Sequence, residues 1–136
     1  MEFVILIGRI MFGALFVASG LGHLSQSASM GRYAESRGVP RGRLATQVSG
    51  VAIILGAASV ILGIVPDLGA LVLVAFLLGT ALLIHKFWTE PEGDVRMMAQ
   101  TQFMKDIALA GAALVMFGFF AEAGDALRFT MTGSAF

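Results

Sequence analysis

Four long apolar stretches dominate the pattern of this chain. They run from about Phe3 to Gly22, Leu44 to Ile64, Leu68 to Phe87 and Phe103 to Ala121. Each is long enough for a helix across about 30 Å of hydrocarbon, which takes roughly 20 residues. The runs of Leu, Ile, Val, Ala and Phe lack the alternation of a transmembrane β-strand. The pattern predicts an all-α membrane protein whose four spanning helices form one four-helix bundle over residues 1–136.

The connections between the stretches differ in length. Residues 65–67 alone join the second and third stretches, which predicts an antiparallel hairpin. The first connection is longer and polar, and Met30, Tyr33 and Ala34 recur in it at helical spacing. We therefore predict a short interfacial helix over residues 30–37, on the membrane surface or over the mouth of the bundle.

Small residues recur four positions apart in every stretch. They are Ala14, Ala18 and Gly22, then Ala52 and Gly56, then Ala75 and Gly79, then Ala108 and Ala112. Such stripes allow helix backbones to approach closely within a membrane. An Ala- and Gly-rich sequence also gives single pairs of this kind by chance, so both interpretations stay open.

Basic residues are concentrated in two of the connections. Seven of the nine are Arg32, Arg37, Arg41 and Arg43 in the first connection and Lys86, Arg96 and Lys105 in or beside the third. Short loops rich in Lys and Arg remain in the cytoplasm. We therefore expect a multi-pass protein of the plasma membrane with both termini outside the cytoplasm. Glu2 and Arg9 do not fit a cleaved signal peptide, so the first stretch is expected to be a retained span.

Composition excludes several classes of function. The mean hydropathy of +0.87 is higher, and the charged fraction of 13% lower, than in a water-soluble domain. The formal net charge is zero, so nothing points to nucleic acid as a partner. The absence of cysteine excludes thiol redox chemistry and thiolate metal sites within the chain.

Five short motifs stand in order along the chain. They are Gly8-Arg9 with residues 19–23 (SGLGH), residues 33–40 (YAESRGVP), residues 85–88 (HKFW), residues 102–106 (QFMKD) and residues 127–133 (LRFTMTG). Through them nearly the whole chain resembles the DoxX family (DoxX/DoxD) of small four-span bacterial and archaeal membrane proteins. The resemblance implies a membrane subunit associated with redox processes, including quinone-linked sulfur oxidation and defence against oxidative stress, without a defined reaction of its own.

The chain departs from this family in its second span. Relatives often carry a membrane-embedded Glu there, whereas this chain offers only Gln47 and Ser49. A proton-coupled role of that carboxylate is therefore not expected here. The lipid bilayer is the expected environment, and soluble or membrane redox proteins and further copies of the chain are candidate partners. The cofactor is not identified by the sequence, and a quinone is a better candidate than haem.

Arg9 is the first candidate functional residue. A guanidinium inside a span is costly, so Arg9 must face the bundle interior or reach towards the surface. One interpretation is an ion pair with a carboxylate at the outer end, for which Glu122 and Asp125 are the best placed. The other is contact with an anion or a quinone carbonyl in a cavity.

His23 and His85 end the first and third stretches and should lie at the same level of the membrane. A spacing of 4, 3, 4 and 3 puts His23 on one helix face with Arg9 and the residues Gly13, Phe16 and Gly20. Two imidazoles can ligate haem or a metal ion. No third ligand has a recognisable spacing, so interfacial side chains bonded to carbonyls or headgroups are the favoured interpretation and no metal site is predicted.

Asp106 lies near the start of the fourth stretch, one turn from Gln102 on the same face. An ionised carboxylate on the lipid side would be uncompensated, so we expect Asp106 to face the interior. A structural role near the helix N-terminus, with Lys105 reaching to the surface, is the alternative.

The resemblance implies a membrane subunit of an oxidoreductase system, not catalytic on its own, and the candidate residues predict that its inner cavity is lined by Arg9, His23, His85 and Asp106. A small-molecule or lipid transporter, or a lipid-binding scaffold, is the alternative. Proton-coupled cation exporters of this size need a carboxylate deep in the first span, where this chain has Arg9, so that transporter class is disfavoured.

Overall fold

The computed structural model describes residues 1–127 and 129–136, except for the side chain of Asp125. The helices are α1 (Glu2–Ser25), α2 (Ser27–Ser36), α3 (Gly42–Leu62), α4 (Pro66–Leu83) and α5 (Asp94–Ala123), with 3-10 turns at Phe87–Thr89 and Gly124–Ala126. The four long helices, α1, α3, α4 and α5, are long and apolar enough to cross a membrane. The prediction of an all-α, four-span membrane protein is confirmed.

The ends of the predicted spans shift, most clearly at the starts of α4 and α5. Helix α4 begins at Pro66, because proline lacks an amide hydrogen and its fixed φ suits the first position of a helix. The turn from α3 to α4 therefore consists of residues 63–65. Helix α5 begins at Asp94 instead of Phe103, because the polar residues before the apolar stretch are good helix formers and continue the same helix.

The predicted interfacial helix is present as α2 and begins earlier, at Ser27. Its buried face packs against the start of α3, where a side chain at Gly31 would come within 2.5 Å of the backbone of Arg43. Glu35 Oε1 also accepts a hydrogen bond of 2.9 Å from the amide of Gly42. These contacts fix α2 across one end of the bundle.

The long helices follow one another around an incomplete ring. Helix α1 packs on α3, α3 on α4, and α4 on α5. Within the described residues the backbones of α1 and α5 do not pack against each other. Their largest wholly buried side chains, Ile53, Val60, Leu73 and Phe120, form the core together with Phe16 of α1. The result is a bundle with one open seam, between α1 and α5.

Between the long helices, the closest backbone approaches use glycines other than most of those predicted. A Cβ on Gly20 would lie 2.8 Å from the carbonyl oxygen of Gly50, and one on Gly69 would lie 2.8 Å from that of Gly56. Gly56 confirms its predicted role. In the first span Ala14 and Ala18 are exposed and take no part in such contacts, which agrees with the interpretation that their spacing arose by chance.

The orientation of α1 has a physical cause. Its buried residues are Arg9, Gly13, Phe16 and Gly20, the face that the spacing predicts for Arg9. Turning the alanine stripe inward would move the guanidinium towards lipid, where no group compensates its charge. The cost of that exposed charge exceeds the gain from packing two alanines, so the face that bears Arg9 is the one buried.

Candidate functional site

A cavity of about 590 Å³ lies under α2, at the end of the bundle where α1 and α4 end. Most of its wall is apolar. The polar side chains in the wall are His23, Ser29, Tyr33, Thr46, Ser49, Thr80 and His85. No Asp, Glu, Lys or Arg is among the residues that line it. A cavity of this size, apolar and with a few convergent polar groups, has the character of a small-molecule site.

His23 reaches the cavity from the last turn of α1. Its Nδ1 lies 2.9 Å from Ser49 Oγ on α3, and the Ser49 hydroxyl donates to the carbonyl of Thr46 at 2.9 Å. The edge of the ring also packs on Phe76 of α4, with 5.6 Å between ring centroids. His23 is therefore held between α3 and α4 rather than turned to the lipid surface.

His85 enters the opposite side of the site with a carboxylate behind it. Its Nε2 lies 3.7 Å from Asp106 Oδ2, and Lys105 Nζ lies 3.5 Å from Oδ1 of the same carboxylate. Asp106 is only 4% exposed, which confirms that it faces the interior. The other partner of this carboxylate, Lys105, has a half-exposed side chain. Contacts therefore connect His85 in the cavity wall, through the buried carboxylate of Asp106, to the half-exposed side chain of Lys105.

Arg37 ties the end of α2 to the segment that follows α4. Its Nε donates to the carbonyl of Ile84 at 2.9 Å and its Nη2 to that of Lys86 at 3.2 Å, and Nη1 pairs with Glu90. Lys86 Nζ returns a hydrogen bond of 2.8 Å to the carbonyl of Arg37. These bonds bracket His85 and hold the cover of the cavity in place.

Arg9 lies at the opposite end of the bundle and does not line this cavity. Its Nε donates to the carbonyl of Val60 at 2.8 Å, Nη2 to that of Ile61 at 2.9 Å and Nη1 to that of Phe129 at 3.0 Å. Arg9 is 2% exposed. The structure thus brings His23, His85 and Asp106 together and leaves Arg9 apart.

The expected ion pair between Arg9 and Glu122 is wrong. Among the described residues, the ion pairs do not include Arg9, and the side chain of Asp125 lies outside them. The carbonyls of Val60 and Ile61 lose their helical donors because the chain leaves α3 at Gly63, which has a φ of 67°. A buried cation satisfies those carbonyls and complements the negative end of the helix dipole, so no carboxylate is needed.

The same end holds a site that the sequence did not reveal. Asp67 is fully buried, and its Oδ2 accepts hydrogen bonds from the hydroxyl of Ser134 at 2.5 Å and from the amides of Ala135 and Phe136 at 2.7 and 3.0 Å. The carbonyl of Gly63 accepts from the amides of residues 131 and 132 at 3.0 Å. The C-terminal segment therefore closes over the α3–α4 turn. Only the position of Asp67 after a helix-initiating proline hinted at a structural carboxylate.

Metal chemistry has no obvious location in the described part of the chain. No group of three or more His, Cys, Asp or Glu side chains there comes together as a set of metal ligands. His23 and His85 are each engaged with a protein group, Ser49 and Asp106.

Comparison with known proteins identifies the family but not a close relative. The DoxX family model matches residues 4–86, which contain all but the first two residues of α1, the whole of α2, α3 and α4, and all the residues that line the cavity. Asp106 lies beyond the matched segment. No match is found among curated proteins or among solved structures. The matched segment covers more than half of the chain and contains the site, and the chain is therefore a multi-pass membrane protein that belongs to the DoxX family.

Proposed function

We propose that this DoxX protein is a membrane subunit of a redox system, and that it binds a lipid-soluble carrier of the quinone class in the cavity under α2. The observation that carries the proposal is the wall of that cavity, which is apolar apart from two imidazoles and a few hydroxyls. A quinone head group is flat, uncharged and polar only at its opposite oxygens. Two imidazoles at different points of an apolar wall suit such a molecule.

The uncharged wall argues against an ionic ligand. A sulfur oxyanion or a phosphate is bound in proteins by Arg, Lys or several backbone amides. Arg37 and Lys86, which flank the cover of the cavity, are engaged with carbonyls and with Glu90. A link to sulfur oxidation would therefore run through the quinone and not through binding of the sulfur compound itself.

The role proposed for the chain itself is to hold the carrier. The electrons for a bound quinone would come from, or pass to, a soluble or membrane redox protein. The protein is on this proposal a ligand-binding subunit and not an enzyme by itself.

A lipid-binding scaffold or lipid transporter is the second candidate, and the open seam of the bundle favours it. A groove of about 390 Å³ runs between α1 and α5, and apart from Arg9 its lining is apolar. The lining residues are Ile5, Gly8, Arg9, Phe12, Ala112, Val115, Met116, Phe119 and Phe120. An acyl chain would fit this groove without any polar partner.

Binding measurements separate the two candidates. We expect the purified protein in phosphatidylcholine nanodiscs to bind a short-chain ubiquinone or its quinol. His23→Leu or His85→Leu should weaken the binding of whichever form binds more tightly by about tenfold, which is the effect of one lost hydrogen bond in a buried site. Ala112→Trp fills the seam groove and is the control that should leave quinone binding unchanged. Loss of binding in Ala112→Trp but not in the histidine variants would favour the lipid-binding alternative. An absorption spectrum of material from native membranes identifies the natural ligand.

A further inference from the structure

The hydroxyl groups around the cavity share one property. Ser29 donates to the carbonyl of Gln26 at 3.0 Å, Thr46 to that of Gly42 at 2.8 Å, Ser49 to that of Thr46 at 2.9 Å and Thr80 to that of Phe76 at 2.9 Å. A hydroxyl has one hydrogen to donate and two lone pairs. Each of these four side chains has therefore given its hydrogen to the backbone of its own helical segment. What they present to the cavity is acceptor oxygen.

His23 is also fixed as an acceptor. Because the only hydrogen of the Ser49 hydroxyl goes to Thr46, Ser49 Oγ must accept the hydrogen bond of 2.9 Å from His23 Nδ1. A neutral imidazole that carries its hydrogen on Nδ1 has a bare lone pair on Nε2. The ring also has a hydrogen-bonding contact with the backbone of Thr46, whose carbonyl can only accept and so shares the hydrogen of the ring with Ser49. Among the hydrogen bonds of the described residues none is made by Nε2 of His23, so its lone pair is available to a ligand.

His85 also presents a nitrogen lone pair as a hydrogen-bond acceptor, and a carboxylate rather than a hydroxyl determines which nitrogen this is. Its Nε2 is the ring nitrogen turned towards the carboxylate of Asp106, 3.7 Å from Oδ2, and the ammonium of Lys105 lies 3.5 Å from Oδ1 of the same group. The hydrogen of the neutral ring is therefore best placed on Nε2, which leaves Nδ1 as an acceptor. In the part of the chain that the structure describes, Nδ1 of His85 has no hydrogen-bond partner either.

We propose, on the basis of the function inferred above, that this cavity binds the reduced, hydroxyl-bearing form of its carrier in preference to the oxidised form. A quinol donates a hydrogen bond from each of its two hydroxyl groups, whereas a quinone has only carbonyl oxygens, which accept. A quinone in this cavity would set its lone pairs against those of His23 and His85 and leave both nitrogens unpaired. Sites built to pair with a hydroxyl reject analogues without it because their own buried groups lose a partner.

Among the described residues of the wall, the hydroxyl of Tyr33 is the remaining side-chain donor, and its hydrogen is not assigned to a protein acceptor. Tyr33 belongs to α2 and about half of its surface is exposed. It lies at the cover of the cavity, away from Ser49 and Asp106, which set the two imidazoles. The wall presents six acceptors, which are the four hydroxyl oxygens and one ring nitrogen from each histidine. One donor at the edge of the cavity leaves acceptors in the majority.

The test compares the two oxidation states of one probe. The full chain in phosphatidylcholine nanodiscs is titrated anaerobically with a short-chain ubiquinone and with the matching ubiquinol, and the two dissociation constants are measured by equilibrium dialysis. We expect the quinol to bind at least about tenfold more tightly, the size of one well-made hydrogen bond in a buried site. Equal affinities, or tighter binding of the quinone, would overturn this inference, whereas binding of neither form would overturn the proposed function instead.

The variant Ser49→Ala tests the fixed tautomer directly. Without Ser49 Oγ, His23 can carry its hydrogen on either nitrogen and can donate to a quinone carbonyl. We expect the preference for the quinol to fall several-fold, mainly through tighter binding of the quinone. Thr101→Ala removes an exposed hydroxyl that is likewise bonded to its own helix, at Met97, and is the matched control. An unchanged preference in Ser49→Ala would contradict the role given to His23, and the ratio in the unaltered protein decides the inference if that variant does not fold.

Discussion

Arg9 shows how a charged side chain inside a membrane protein can serve the backbone of a neighbouring helix. Its three hydrogen bonds go to carbonyls that have lost their helical donors or lie beyond any helix. Its guanidinium also lies 5.9 Å from the ring of Phe120, within range of a cation–π contact. Together these partners account for a buried cation without an anionic partner among the described side chains.

We expect Arg9→Met to destabilise the protein by about 3 kcal/mol, because the buried carbonyls of Val60 and Ile61 would lose their donor. Arg9→Lys should recover only part of this loss, since an ammonium lacks the planar fork that reaches three carbonyls. Thermal unfolding in detergent measures both variants. Glu122→Gln is the control and should stay within about 0.5 kcal/mol of the parent, as is usual for exposed positions. A loss in Glu122→Gln as large as that in Arg9→Met would restore the ion-pair interpretation.

Individual residues were predictable where a helical period fixed them. The spacing of Arg9, Gly13, Phe16 and Gly20 gave the buried face of α1, and the cost of an exposed carboxylate gave the inward position of Asp106. The partner of Arg9 was not predictable, because backbone carbonyls at a helix end are the same for every sequence. Among side chains, carboxylates are the anionic partners of a guanidinium, so the sequence pointed to Asp and Glu.

Many of the polar contacts in this fold are made by the connections between the helices. In the α3–α4 turn, the Ser59 hydroxyl lies 2.6 Å from the carbonyl oxygen of Ile64 and 3.0 Å from that of Val65, and the amide of Val65 donates to Thr132 Oγ1 at 2.7 Å. A turn near hydrocarbon must pair its backbone groups within the protein, since water is scarce there. The C-terminal segment supplies that pairing, which explains why it folds back over α3 and α4.

We expect Asp67→Ala to release this segment. The amides of Ala135 and Phe136 and the hydroxyl of Ser134 would lose their common acceptor, so residues 129–136 should exchange their amide hydrogens at least about tenfold faster. Hydrogen exchange read by mass spectrometry measures the change, and α1 serves as an internal reference. Asp94→Ala, at the exposed start of α5, is the matched control. Unchanged protection of the segment would mean that the bonds to Gly63 and Val65 suffice to hold it.

Helix ends show where a sequence pattern loses information. Apolar stretches mark the part of a helix inside hydrocarbon, so the start of α5 at Asp94 was missed by a reading based on apolarity. Helix α2 was found from three residues at helical spacing, but its start was placed late because Ser27 is polar and yet buried. Burial of small polar residues depends on which helix lies opposite, and a single chain pattern does not contain that information.

The candidate site depends on contacts between helices that are distant in the sequence. The level of His23 and His85 followed from the antiparallel order of the spans, but the pairing of His23 with Ser49 depends on the packing of α1 against α3. Ser49 stands in the segment where family relatives often carry a Glu, and its role as the acceptor for His23 was not anticipated. The cavity itself arises because α2 covers one end of the bundle, a relation that no local pattern encodes.

The distribution of basic residues predicts the orientation of the whole molecule in the membrane. Four spans place both termini on one side, and Arg9 near the start of the chain accordingly contacts Phe129 near its end. The first and third connections meet at the other side, where Arg37 contacts Lys86 and Glu90. Seven of the nine basic residues lie in or beside these two connections. We propose that the membrane is the plasma membrane and that this side, which carries the cavity and its cover α2, faces the cytoplasm.

Reporter fusions test this orientation. Alkaline phosphatase, which is active only outside the cytoplasm, should be active when fused after Phe136, and a fluorescent protein that folds only in the cytoplasm should stay dark there. Insertion of the same reporters after Gly93, in the connection before α5, is the control and should give the opposite pair of signals. Because short-loop Lys and Arg residues set the orientation, replacing Arg32, Arg41 and Arg43 by Gln should produce a mixed population. These three side chains are exposed, so the fold should tolerate their loss. A fluorescent C-terminal fusion in the unaltered chain would reverse the assignment and place the cavity on the outer side of the membrane, where the redox partner would then have to dock.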